Sequence, residues 1–325
     1  VRGVLTRATR TVPAAWLLAL VAAVGAAAAA PPATVAVEPV QIAPHTWYVQ
    51  GDAGPVSREN QGFNANAGFV VTAEGVVVFD ALGTPPLGEA LLAAIRRVTP
   101  LPVRRVILSH VHADHVYGAQ VFQDAGAELW AHAAARPYLA SDAPAARLEE
   151  RRRSLAPWVD EDTRVVVPDV WVDGDTSFRL GGVTFRLIHV GPAHTPEDLA
   201  MVVEEDGVMF AGDLMFAGRI PFVGDADSGA WLAAIERLEG LQPAILVGGH
   251  GGASRDAHAD LRLTREYLQA LREAMGEAAR NMIPFDEAYA ATDWSRFASL
   301  PAFDAANRRN AYNTYLLMER EMLSR

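Results

Sequence analysis

The sequence predicts an α/β fold in which two β-sheets pack face to face with helices on both outer sides, a four-layer sandwich, followed by a helical C-terminal extension. Three observations predict it. Short β-rich runs followed by helical spacing occur twice over. Half of the 325 residues are hydrophobic, enough to bury a large core. Beyond Ala257 every periodic stretch is helical.

In the first round, Thr46–Gln50, Ala67–Val71 and Val76–Asp80 are β-rich runs separated by turn residues, a meander. Leu87–Val98 has apolar residues at helical spacing, and Val103–Ser109 reads as a buried strand that stops at His110. A helix then begins near His115 and runs towards Asp124, and Glu128–Ala131 is a short strand. The charged, proline-containing stretch Arg136–Thr163 reads as an insertion or a helical lid. In the second round Val165–Val172, Thr176–Leu180 and Val183–His189 are strands, and Ala200–Glu204 with Val208–Ala211 forms a hairpin across Glu205–Gly207. Ala230–Glu239 is a helix and Ala244–Val247 the last strand, with helices over Leu261–Ala279 and Ala305–Leu323.

Ahead of these elements, Arg2, Arg7 and Arg10 precede an apolar run from Pro13 to Ala30 that has no acidic residue and ends in A-x-A frames. That is the layout of a secretory signal, expected over residues 1–30. An uncleaved anchor is the other reading, because the run approaches the length of a membrane span. The expectation is export to the periplasm, with no stable membrane span after cleavage. The rest divides into an α/β domain over residues 35–256 and a helical extension over 257–325 packed on it.

Composition removes several function classes. With 28 basic and 39 acidic residues the formal charge is −11, which argues against a nucleic-acid partner. No cysteine is present, so disulfides, thiolate metal ligands and cysteine nucleophiles are excluded. All 28 basic residues are arginine, which excludes Schiff-base lysine chemistry.

Nine histidines remain, and their placement carries the functional reading. Residues 109–115 are Ser109-His110-Val111-His112-Ala113-Asp114-His115. At an extended strand end His110 and His112 point the same way, and after the turn Asp114 and His115 face a second point nearby. Three imidazoles and a carboxylate in six residues are poor core material unless partnered. Their partners lie after other strands: His194 in Gly191-Pro192-Ala193-His194-Thr195-Pro196-Glu197-Asp198, Asp213 in Ala211-Gly212-Asp213-Leu214, and His250 in Gly248-Gly249-His250-Gly251. Taken singly, these read as a loop histidine, a helix N-cap and a turn residue. Jointly they complete two metal sites.

This set, H-x-H-x-D-H followed by a histidine, an aspartate and a histidine, resembles the metallo-β-lactamase superfamily over about Val35 to Ser254. The resemblance implies the αββα metallo-β-lactamase sandwich, with metals at the edge between the sheets. It implies two zinc ions per chain: His110, His112 and His194 hold one, Asp114, His115 and His250 the other, and Asp213 bridges them as in the glyoxalase II-like branch. Iron or manganese suits the same ligand types. Two branches of true β-lactamases fit poorly, one for want of a cysteine ligand and the other because it usually lacks a bridging aspartate. β-Lactam hydrolysis is therefore an alternative that is not favoured.

A narrower resemblance rests on Gly218–Ser228, Asp293–Phe297, Leu300–Asp304 and Asn307–Tyr312. With an export signal these blocks look like the quinoprotein relay system zinc metallohydrolases, whose genes accompany periplasmic quinoprotein dehydrogenases. That system is the implied partner.

The expected activity is that of an exported di-zinc metallohydrolase that uses a metal-bound hydroxide to cleave an ester, thioester, lactone or related carbonyl bond. Its substrate is a small molecule, anionic or carbonyl-containing. Asp114 is the catalytic candidate, ligating one zinc and orienting the hydroxide. Arg219 either binds a substrate carboxylate or pairs with Asp225 or Asp227. Ser109 and Thr195 either bond a carboxylate or an imidazole N–H, or bond backbone. The loop Gly51–Ala67, with Arg58, Asn60, Phe63, Asn64 and Asn66, is a lid over the metals or an ordinary polar loop. His189 reads as a core histidine, and His45, His132 and His258 as surface or structural. Two further readings are an iron-dependent redox enzyme on the same fold and a metal-stabilised accessory protein of the quinoprotein system.

Overall fold

The structure is a computed structural model that describes residues 30–324. The expected export signal lies outside the described residues but for Ala30. One sheet has seven strands in sequence order: β1 (Val40–Gln41), β2 (Thr46–Val49), β3 (Ala67–Thr72), β4 (Gly75–Phe79), β5 (Val103–Ile107), β6 (Glu128–His132) and β7 (Val170–Val172). β1 to β4 pair antiparallel as a meander, and β4 to β7 pair in parallel. Parallel pairs need crossovers. These are α1 (Pro85–Val98), the short helices α2 (Ala113–Val116) and α3 (Ala119–Asp124), and α4 (Arg136–Leu139) with α5 (Ala143–Ser154).

The second sheet has five strands: β8 (Thr176–Leu180), β9 (Val183–His189), β10 (Leu199–Val203), β11 (Val208–Phe216) and β12 (Ile245–His250). Only β11 and β12 are parallel, joined through α6 (Ser228–Gly240). The chain continues as α7 (Ala257–Arg280), α8 (Phe285–Ala291) and α9 (Phe303–Leu323). No helix among the described residues is long and apolar enough to cross a membrane.

The period-two alternation of the strands explains the layering. Val77, Phe79 and Ile107 of the first sheet meet Phe185, Met201, Val203 and Phe210 of the second in one buried cluster between the sheets. Their neighbours Val76, Val78 and Val106 point the other way, onto Leu87, Leu91 and Ile95 of α1 and Phe122 of α3. On the far side, Ala200, Met209 and Ala211 pack on Trp231 and Ile235 of α6 and on Leu268, Leu271 and Met275 of α7. Helix, sheet, sheet and helix follow as four layers, and α9 lies against α7 on the second outer face. Thr84 starts α1 by accepting Leu87 N–H at 3.3 Å, ahead of Pro85 and Pro86 in the first turn, where a missing N–H costs nothing.

Several elements differ from expectation, among them β7, which pairs with β6 in the first sheet although the sequence groups it with the second round. The helix expected from near His115 is two helices broken at Gly118, so Asp114 and His115 sit in the first of them. The strand expected over Val165–Val172 begins at Val170, because Pro168 has no N–H for a ladder. β11 runs past Ala211 to Phe216, and β12 runs past Val247 to His250. Asp213 and His250 are therefore strand residues, not a helix cap and a turn. The glycines that look like strand breakers are the reason: Gly212, at φ 53°, sits where the β11–β12 register shifts, a bulge that glycine accommodates.

Candidate metal centre

The centre forms at one edge of the sandwich, where the chain leaving β5 and entering α2 meets β11, β12 and the loop between β9 and β10. Among the described residues, two groups bring potential ligand atoms within 4.8 Å of one another: His110, His112, His194 and Asp213, and then Asp114, His115 and His250. All seven residues singled out by the sequence are thus brought together.

Asp213 joins the groups. Its Oδ2 lies 3.3 Å from His194 Nε2 and 3.9 Å from His110 Nε2. Its Oδ1 lies 3.1 Å from His115 Nε2 and 3.3 Å from His250 Nε2. Asp114 completes the second group, with Oδ2 3.7 Å from His250 Nε2 and 4.0 Å from His115 Nε2. In the first group, His112 Nδ1 and His194 Nε2 face each other at 2.9 Å. Gly249, on β12, makes room for the bridge: a Cβ there would lie 2.0 Å from Asp213 Oδ1.

Hydrogen bonds behind the rings decide which nitrogens face inward. Asp80, the residue after β4, accepts the Ser109 N–H and O–H, both at 2.8 Å. Having donated its proton, the Ser109 hydroxyl accepts from His110 Nδ1 at 2.9 Å. Asp80 also accepts His115 Nδ1–H at 2.9 Å. The Asn64 carbonyl accepts His250 Nδ1–H at 2.6 Å, and Asn64 Nδ2 donates to Asp114 Oδ2 at 3.0 Å. With the protons on Nδ1, the Nε2 lone pairs of His110, His115 and His250 point into the centre. His110 Nε2, His115 Nε2 and Asp213 Oδ1 are buried without a hydrogen-bond partner. A ring nitrogen facing a carboxylate across 3.1 Å needs a proton or a metal ion between them, and with His110 Nε2 also unpartnered the donor set fits metal ions. Nitrogen and oxygen donors without sulfur suit zinc, and also iron or manganese.

The charge states agree. Burial, then the neighbouring imidazoles of His115 and His112, hold His110 well below the ordinary histidine value. Burial and His194 push His112 down to about 3, and burial pushes His194 down to about 4. At His115 burial works the same way, but the carboxylates of Asp213, Asp80 and Asp114 outweigh it and raise the ring well above its ordinary value. Burial would raise the Asp213 and Asp114 carboxyls, but the surrounding histidines, His250 and His115 foremost, hold both below the usual carboxylate range.

The remaining candidates have partners outside the two groups. Arg219 is 5 % exposed and forms no ion pair with Asp225 or Asp227; Asp227 instead caps α6. Arg219 donates to Gly54 O at 3.1 Å, beside His250. Thr195 bonds the Asp198 carboxylate, at 2.7 Å from both its N and Oγ1, and does not bond a ring. The outer part of the 51–67 loop carries the exposed Arg58, but residues 61–67 are buried: Asn66 donates to Gly248 O and Gly251 O, tying this part to the end of β12 beside the centre. His189 is half-buried and stacks on His132 at 3.5 Å, with Nε2 3.0 Å from Pro196 O. His45 and His258 pair with Asp206 and Glu239.

Three supporting residues escaped sequence reasoning: Asp80, the role of Asn64, and Glu197, whose Oε1 accepts the Val111 N–H between His110 and His112 at 3.2 Å. Asp80 left one signal, an acid closing the apolar run Val76–Phe79.

Comparison with known proteins agrees with this geometry. The sequence model of the metallo-beta-lactamase superfamily matches residues 60–250. The hydroxyacylglutathione hydrolase GloC of Haemophilus influenzae is 29% identical over 174 residues, 51% of this chain and 77% of that protein. A metallo-beta-lactamase from Pontibacter korlensis superposes with a TM-score of 0.55 at 22% identity, covering 71% of this chain and 98% of that one. A stereoselective inverting sec-alkylsulfatase from Pseudomonas sp. superposes with a TM-score of 0.63 at 17% identity, over 86% of this chain and 50% of that one. These two structural likenesses are of fold. With the family match spanning more than half of the sequence and the ligand clusters in place, the chain belongs to the metallo-beta-lactamase superfamily and is a metal-dependent hydrolase.

Proposed function

We propose that this protein is an exported, periplasmic di-zinc hydrolase that cleaves an ester, thioester, lactone or related carbonyl bond of a small anionic substrate. One observation carries the reading: Asp213 turns one carboxylate oxygen to each of two imidazole clusters. His110, His112 and His194 would hold one ion, and Asp114, His115 and His250 the other, with Asp213 shared. When bound, such a pair supplies an activated water at neutral pH and polarises the carbonyl under attack.

The chain's own residues supply the rest. Asp114, ionised and with 18% of its side chain exposed, lies at the open face of the centre. Asn64 holds one of its oxygens, leaving the other to orient the attacking water and accept its proton. Asp80 and the Asn64 carbonyl keep His115 and His250 in the inward-facing tautomer. Arg219 is a buried positive charge near Asp213 and Asp114 and is the inner candidate contact for a substrate anion. The thioester of a hydroxyacylglutathione, named for one relative, belongs to the proposed bond class. The motif at Gly218–Ser228 supports placing the protein with a periplasmic quinoprotein dehydrogenase system.

The test is turnover on a panel holding a glutathione thioester, aryl esters, homoserine lactones, an alkyl sulfate, a phosphodiester and a cephalosporin, each with chelator and with added zinc. Chelator-sensitive turnover of a carbonyl substrate that is lost in Asp114→Ala is the expected result. Two bound metals without turnover on any member would sink the reading in favour of an accessory protein, and a bound iron with visible absorbance would favour redox chemistry.

A further inference from the structure

The motifs at Gly218–Ser228 and Asn307–Tyr312 meet. Asn310, on α9 and fully buried, donates to Pro221 O at 2.7 Å and accepts from Val223 N at 2.9 Å, so one side chain bonds the backbone on both sides of Phe222. Asn313, on the same helix, donates to Gly224 O at 2.7 Å, and Ile220 N–H donates to Pro301 O at 3.1 Å. Asn310 is fixed in turn by the Tyr267 hydroxyl, 3.0 Å away, which donates to Asn307 at 2.8 Å. The C-terminal helix thus sets the conformation of the segment that carries Phe222.

Phe222 is half-buried, with its ring centroid 6.1 Å from that of His112 and 6.5 Å from that of His194. His112 is the partly exposed imidazole of its group, so Phe222 borders the side of the centre that solvent reaches. The guanidinium of Arg309 lies 5.6 Å from the centroid of the Phe222 ring. Arg309 is exposed and forms no ion pair among the described residues, whereas the adjacent Arg308 is engaged by Asp286. A cation held over an aromatic ring keeps its N–H fork available to a carboxylate.

We propose that Phe222 and Arg309 form a substrate subsite, shaped by Asn310, that selects esters or thioesters carrying an anionic group away from the scissile bond. Phe222 supplies an apolar face for the body of the substrate, and Arg309 is the specificity-determining charge at its outer end. The proposal rests on the hydrolase reading above and names the substrate class for that same site.

The experiment compares phenyl acetate with 4-carboxyphenyl acetate in the metal-loaded wild-type protein and in Arg309→Gln, Arg309→Lys and Arg309→Glu. The quantity read is the ratio of the two kcat/KM values. It is expected to favour the carboxylate about tenfold in the wild type, to fall to near one in Arg309→Gln, to recover partly in Arg309→Lys and to invert in Arg309→Glu. The preference should also weaken with added salt. A ratio that is the same in wild type and Arg309→Gln overturns the subsite. Calorimetric titration of benzoate decides it without turnover: about tenfold weaker binding to Arg309→Gln supports the subsite, and equal binding overturns it. Failure of both esters to turn over while benzoate binding still depends on Arg309 would count against the hydrolase reading alone.

Discussion

His115 donates Nδ1–H to Asp80 Oδ2 at 2.9 Å, and Asp80 accepts it from the left-handed region of backbone space, at φ 59°. That conformation costs about 1 kcal/mol in a non-glycine residue, and aspartate is among the few side chains that adopt it readily. The same carboxylate reaches His110 through the Ser109 hydroxyl. One strained residue therefore orients a ring in each group.

Asp80→Ala should lower metal affinity about 10- to 100-fold. Competition against a chromophoric chelator measures it. Asp80→Asn keeps a side chain that tolerates the backbone but cannot accept on both of its terminal atoms, so its affinity should fall between the two. Affinity equal to wild type in Asp80→Ala would show that the histidines need no orienting partner.

A methyl group at position 249 would occupy the place of Asp213 Oδ1. Gly249→Ala is expected to displace the shared carboxylate and cost about 10- to 100-fold in metal affinity, with losses at both groups. Metal content by mass spectrometry, alongside an unchanged far-ultraviolet circular dichroism spectrum, separates this from unfolding. Loss at one group alone would mean that Asp213 does not serve both.

Acidification should empty the second group before the first. His112 and His194, at about 3 and about 4, are already neutral at pH 7 and stay so until the pH falls through those values, so protons scarcely compete there. His115 is raised well above its ordinary value by its carboxylates, so an ion entering the second group must displace a proton from it. Affinity at that group should fall, by up to about tenfold per pH unit, as the pH is lowered from neutrality, while the first group changes little. Metal content after dialysis across this range should pass through a plateau at one ion per chain; simultaneous loss of both ions would contradict the assignment.

Chelation should destabilise the fold as well as silence it. Stripped of metal, His110 Nε2 is left buried without a partner, and His115 can face the Asp213 carboxylate only by holding a proton there. Thermal unfolding is expected to drop by about 5 °C or more on chelation and to recover with zinc. An unchanged midpoint would mean that the site is weakly held.

Much of this was legible in the primary structure, and the reason is local. His110, His112, Asp114 and His115 sit within six residues at a strand end, where spacing alone dictates convergence. The layers were legible because strands buried on both faces, such as Val76–Phe79, leave continuous apolar runs. Strand ends were misjudged where glycine interrupts the pattern: Gly212 and Gly248–Gly249 look like stops, yet they carry β11 and β12 onward to deliver Asp213 and His250. Support from Asp80, Asn64 and Glu197 was not legible, because each is a lone polar residue whose partner lies 29 to 186 positions away. Of the two readings open for Arg219, only the ion pair is set aside: carboxylates near in sequence suggested it, whereas the side chain bonds a carbonyl 165 residues distant.

The two groups draw their ligands from both halves of the sandwich. His110, His112, Asp114 and His115 follow a strand of the seven-stranded sheet, while Asp213 and His250 lie on strands of the five-stranded one and His194 on the loop joining two of its strands. Neither half alone offers either group its full set of donors. A complete donor set therefore exists only once the sheets have docked, and an ion bound there would clasp the two halves at the edge where they meet.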